Sequence, residues 1–204
     1  MTKGRFLTRW IAGSAFATLF GLGFGGFIGL MGLHEGGLVT AVPAALVLSG
    51  AVAFSVGLIQ GTALAARFAG LSAIRWAVNT GLGTLAAWAL IGHPVGLLTA
   101  PDSDTRAWTT VIPTAVGIGL VVGTVVATAQ WFELRRHADH AVWSIPLLAV
   151  AWTIGAGAFF TANGLISEVG SEGTAVAGAA GVLLLTGAIV AAVQAIGLVR
   201  ILDV

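Results

Sequence analysis

From Trp10 to Leu33 the chain carries no ionisable side chain, and five further apolar runs follow: Val39 to Ala66, Ala73 to Gly92, Trp108 to Trp131, Val142 to Leu165 and Ala175 to Leu198. At 1.5 Å of rise per residue, each is long enough to cross about 30 Å of hydrocarbon as a helix. None holds an ionised side chain near its centre, and Pro43, Pro113 and Pro146 fall in the first turns of their runs, where a missing N–H costs least. Only 8% of the residues are charged and 57% are hydrophobic. A water-facing globule carries about 25% charged residues, so the solvent over most of this surface is expected to be lipid. The predicted fold class is an all-α integral membrane protein, a single six-span domain over residues 1–204.

The distribution of bases then predicts an orientation. With the N-terminus in the cytoplasm, Lys3, Arg5, Arg9, Arg67, Arg75, Arg135, Arg136 and Arg200 all lie inside, and Arg106 alone lies outside. Glu35, Asp102, Asp104, Glu168 and Glu172 fall on the outer side. Both termini are therefore expected inside, in a multi-pass protein of a bacterial cytoplasmic membrane. The basic start before Trp10 resembles a signal peptide, but its apolar run continues for about two dozen residues without an obvious cleavage site, so a retained first span is expected.

The chain also repeats itself. TRWIAGS at 8–14 is similar to IRWAVNT at 74–80, and AVWSIPL at 141–147 is a looser third copy. The even-numbered spans close alike, Gln60 before Arg67, Gln130 before Arg135 and Gln194 before Arg200. The unit is a helical hairpin that enters at Arg–Trp and leaves at Gln–Arg, with repeats at about 5–67, 73–136 and 141–200. Three parallel hairpins imply a pseudo-three-fold axis along the membrane normal. Thirty glycines serve close helix packing: Gly21, Gly25 and Gly29 in the first span, Gly57 with Gly61, and Gly119 with Gly123.

Three stretches resemble a group of glycine-rich bacterial multi-pass membrane proteins in which a GxxQWLxLRR…GWW phrase recurs between hairpins. They are AQWFELRR followed by Trp143, GLIQGTALAARFAGLSAIRW, and the opening RFLTRWIAGSAFATLFGLGFGG. In this chain no Trp follows Gln60, and Trp143 stands alone where the phrase has two. The resemblance implies architecture only, since the group has no established activity.

Among candidate sites, AQWFELRRHADHAVW is the densest in charge. His137, Asp139 and His140 offer imidazole and carboxylate donors, but Arg135 and Arg136 beside them repel a cation and nothing completes a shell. The stretch reads as the inner membrane border, with Trp10, Trp76, Trp131 and Trp143 and the bases Arg67, Arg75, Arg135 and Arg136 as interface anchors. Glu133 is expected to pair with Arg135, Arg136 or water. Gln60, Gln130 and Gln194 precede their arginines by seven, five and six residues, so each lies about 8–10 Å deeper along its helix. Three amides around a pseudo-three-fold axis form a possible polar path, but the plainer expectation is that each bonds a neighbouring helix.

The outer loop HPVGLLTAPDSDTRAW has too few oxygens for calcium. No G-x-S-x-G, HExxH or Walker A pattern is present, and no cysteine offers a thiolate. The expectation is therefore no enzyme, no cofactor, no metal and no nucleic-acid partner. Partners are the bilayer and a membrane protein or a second copy of the chain. The first expectation is an accessory or scaffold subunit; the alternative is a small permease or substrate-capturing component for a neutral or weakly polar solute.

Overall fold

The computed structural model describes residues 3–17, 38–99, 108–169 and 172–201. All regular structure among them is helical. The helices are α1 (residues 3–17), α2 (Leu38–Ala65), α3 (Ala73–Thr99), α4 (Trp108–Leu134), α5 (Ser144–Val169) and α6 (Glu172–Ile201), with a 3-10 turn at Ala141–Trp143. Each occupies one of the six apolar runs. The Gly21, Gly25 and Gly29 groove and the acids of the outer loop, Asp102 and Asp104, lie outside the described residues.

Two of these helical stretches, Ile112–Leu134 and Ala141–Ala162, are long and apolar enough to cross a membrane by length and composition, and Ser49–Ala65 and Leu184–Arg200 are shorter apolar stretches. One boundary differs from expectation. The third run continues as helix past Gly92 to Thr99, where the sequence suggested a loop opening at His93-Pro94. A proline removes one backbone bond without stopping a helix whose following residues tolerate the conformation.

From α2 to α6 each helix packs on the next. A cluster at one end joins Leu64, Leu134 and Leu198, near the C-termini of α2, α4 and α6, to Phe6, Trp10 and Trp76 of α1 and α3. The even helices therefore end where α1 and α3 begin. Trp10 and Trp76 meet edge-on, with ring centroids 6.4 Å apart, a favoured aromatic geometry.

Two glycine pairs permit the closest backbone approaches. A Cβ on Gly57 or Gly61 would stand 2.8 Å from the Cα of Ala77 or Ala73 on α3, and one on Gly119 or Gly123 would stand 2.5 Å from the Cα of Thr153 or Ala149 on α5. Between α2 and α3, Leu71 N–H bonds Phe68 O and places Gly70, at φ +84°, third in the turn. A type II turn requires that sign of φ there, and glycine adopts it without penalty.

Gly61→Val and Gly123→Val are expected to destabilise the fold by about 1–3 kcal/mol each, as overpacking generally does. Gly117, with nothing within 4 Å of a built Cβ, is the control position. Residual folded fraction after heating in detergent measures all three; equal losses at Gly117 and Gly123 would show that backbone approach is not what these glycines provide.

Candidate functional site

Gln60, Gln130 and Gln194 all lie within about two turns of the C-terminal ends of their helices. The ends meet in one cluster, so the amides share a level in the bundle. Each is buried, at 4%, 4% and 5% exposure, and all three line a single cavity of about 270 Å³. Described residues of all six helices contribute to that cavity, from Ser14 on α1 to Thr186 on α6.

Two of the amides are tied to a hydroxyl of their own hairpin. Gln60 Nε2 donates to Ser14 Oγ at 2.8 Å, and Gln130 Nε2 donates to Thr80 Oγ1 at 2.9 Å. Ser14 stands four residues after Trp10 and Thr80 four after Trp76, so the same bond joins the same places in two copies of the repeated phrase. Thr80 completes its bonding by donating to Trp76 O at 2.8 Å. In the third copy the corresponding residue is Leu147, which has no hydroxyl, and no side-chain hydrogen bond of Gln194 is found among the described residues. Gln60 Oε1 and Thr186 Oγ1 are buried and unpaired. An unmade bond of this kind is costly in an apolar setting and identifies where a bound group would be rewarded.

The remaining lining is mostly apolar. On α3, Trp88 follows Thr80 by eight residues and so stands about 12 Å farther from the amides. On α5, Trp152, Phe159 and Phe160 face the same space. No ionisable side chain lies among the described lining residues. Beyond the amides, at the other end, Phe6, Trp10, Trp76, Leu64, Leu134 and Leu198 are the most deeply buried large apolar side chains. The cavity thus has a polar floor above a packed aromatic base and aromatic walls at its far end.

The tryptophans expected alike as interface anchors divide. Trp10 and Trp76 are core residues at 0% and 1% exposure, Trp131 is partly buried, and Trp143 is 61% exposed. Arg135 lies over the rings of Trp131 and Phe132, its Cζ 4.8 and 5.1 Å from their centroids. Arg67 has its Nε buried without a partner, whereas Arg75 and Arg136 reach Glu133.

Glu133 is the surprise of the charged stretch. Only 2% exposed, its Oε1 accepts the Ser72 N–H at 3.0 Å. Ser72 caps α3 by accepting Arg75 N–H at 3.2 Å. An N-cap serine usually receives the reciprocal bond from an acid three residues on; here Arg75 occupies that place and α4 supplies the acid. Arg75, Arg136 and His137 approach the carboxylate at 3.7 Å. Of the partners expected for Glu133, Arg136 reaches it, while Arg135 forms cation–π contacts. His137, Asp139 and His140 do not join a metal-holding group; none of three or more such donors is found among the described residues.

No known protein family, curated protein or solved structure is matched by the chain. The sequence could have flagged Ser14, since it shares with Thr80 the fourth place after the repeated Trp. It carried no comparable sign that Trp88, Trp152 and Thr186 face one space, because that depends on helix rotation.

Glu133→Leu is expected to cost about 1.5–3 kcal/mol, the range for a hydrogen bond to a charged group, with Glu133→Gln intermediate because its amide oxygen still accepts from Ser72. Both arginine partners are more than half exposed, so 1 M salt is expected to change little. Chemical unfolding of the three proteins at low and high salt measures this. Equal loss for Gln and Leu would assign the stabilisation to charge instead of the cap.

Proposed function

We propose that the chain is a small multi-pass membrane protein that captures an uncharged small molecule in the cavity floored by Gln60, Gln130 and Gln194. The observation that carries this reading is the convergence of three buried amides on one space with unpaired polar atoms and no ionisable side chain among its described lining residues. Mostly apolar pockets with a few directed polar groups are the usual form of a small-molecule site. Two of the glycine faces that favoured a scaffold subunit, Gly57 with Gly61 and Gly119 with Gly123, are occupied within the chain, by α3 and α5. The accessory-subunit reading therefore has less to rest on.

The membrane architecture within this proposal is six spans in three parallel hairpins, with both termini in the cytoplasm. Large apolar side chains on the outside of the helices support it, among them Val47, Ile74, Leu90 and Leu185 at 72%, 65%, 63% and 59% exposure. Side chains of this kind in such number suit contact with lipid and not with water. The distribution of bases supports the orientation, and the repeated glutamine–hydroxyl bond supports the hairpin unit. The aromatic base beneath the amides favours capture over open conduction, because a through-path would have to displace it.

The chain has no cysteine, so single cysteines report topology without background. Asp102→Cys is expected to react with a membrane-impermeant maleimide in intact cells, and Asp139→Cys only after permeabilisation. The reverse pattern would invert the orientation, and labelling of both in intact cells would overturn the spans.

The function itself is tested by gentle extraction of the tagged protein from its native membrane and mass spectrometry of what it retains. A small uncharged molecule near one per chain is expected, and its loss from folded Gln194→Leu. A stoichiometric protein partner with no retained molecule would instead establish an accessory subunit.

A further inference from the structure

We infer that the captured molecule is a flat, uncharged aromatic of one or two rings, with one edge that both donates and accepts a hydrogen bond. This rests on the capture reading above and adds the ligand's chemical class and its direction of binding. The floor sets the edge. Gln60 has one of its two amide N–H groups engaged by Ser14 while its Oε1 is buried without a donor, so that oxygen asks the ligand for an N–H or O–H. Gln194 on the facing helix presents an amide without an internal partner among the described residues, with donor and acceptor side by side. A lactam or carboxamide edge satisfies both. A carboxylate cannot donate to Gln60, and no base lies among the described lining residues to offset its charge.

The walls set the body. Trp88, Trp152, Phe159 and Phe160 lie toward the end of the cavity away from the amides, and aromatic faces and edges favour an aromatic guest in offset or edge-on contact. The volume of about 270 Å³ falls just below the roughly 300–1,000 Å³ of sites that hold drug-sized ligands. Thr186 Oγ1, buried and unpaired on the same lining, gives one further polar contact part-way along the body. The packed Phe6, Trp10 and Trp76 close the floor, so the polar edge leads and the rings follow.

The test titrates the full-length protein in lipid nanodiscs with four probes, read by tryptophan fluorescence and by the shift in thermal midpoint. The probes are 2-quinolone, its N-methyl derivative, naphthalene and quinoline-2-carboxylate. The expected order places 2-quinolone first, with the N-methyl compound and naphthalene each about tenfold weaker or more, as loss of a bond to a buried group implies, and the carboxylate without saturable binding. In Gln60→Leu the difference between 2-quinolone and its N-methyl derivative is expected to shrink to about threefold or less. Should that variant fail to fold, Gln194→Leu, whose amide has no internal bond to lose, takes its place. Naphthalene binding as tightly as 2-quinolone would overturn the polar-edge assignment while leaving capture intact. If no probe binds, the molecule retained in the native extraction decides: a charged or acyclic one overturns the ligand class alone, an uncharged aromatic amide supports it, and none retained overturns capture as well.

Discussion

A polar group enclosed by apolar side chains is costly unless it finds a partner, and the amide bonds of the bundle answer part of that cost. In water an unbonded glutamine amide costs nothing; among Val, Ile and Phe it carries a penalty of order 1–3 kcal/mol. Ser14 and Thr80 accept from the amide nitrogens of Gln60 and Gln130, while Gln60 Oε1 is left without a donor. Each bond also fixes the rotation of one helix against its hairpin partner, because the amide reaches the hydroxyl from one face only. The glycine contacts then set how near the next hairpin stands. Gly57 and Gly61 admit α3 to the backbone of α2, and Gly119 and Gly123 admit α5 to that of α4. Rotation is thus set within hairpins and separation between them.

Glu133 applies the same requirement at the rim of the bundle. A helix N-terminus leaves backbone N–H groups without intrahelical acceptors, and α3 begins with a serine cap but no acid of its own to complete the reciprocal pair. The carboxylate comes from the last turn of α4, so the start of one helix and the end of the next are held by a shared group. The half-exposed Arg75 and Arg136 neutralise a charge that would otherwise be costly at 2% exposure.

The six helical runs are legible in the sequence because uninterrupted apolar length is a local property, and the structure places a helix at each. Boundaries are less so: His93-Pro94 looks like a stop, yet the helix continues to Thr99. The glutamines could be singled out from their spacing to arginine, but not their shared cavity, which depends on the rotation of three helices far apart in sequence. Glu133 illustrates the limit. Arg136 and His137 are visible as helical neighbours, whereas Ser72 lies 61 residues away. The repeated phrase predicts Trp10, Trp76 and Trp143 alike at the interface, whereas Trp10 and Trp76 are core residues. Trp143, in the looser third copy, is exposed.

Leu147 in the third copy has a consequence beyond one missing bond. Three identical hairpins would present a guest with three interchangeable seats, each with its amide already engaged by a hydroxyl, and a molecule lying among them would have no reason to choose. With an alkyl chain in place of the hydroxyl in one of the three copies, the walls become distinguishable: two amides donate to a hydroxyl and one does not. The likeness among the three Trp-led stretches therefore ends at a single side chain, and the three amides that line the cavity differ in their surroundings.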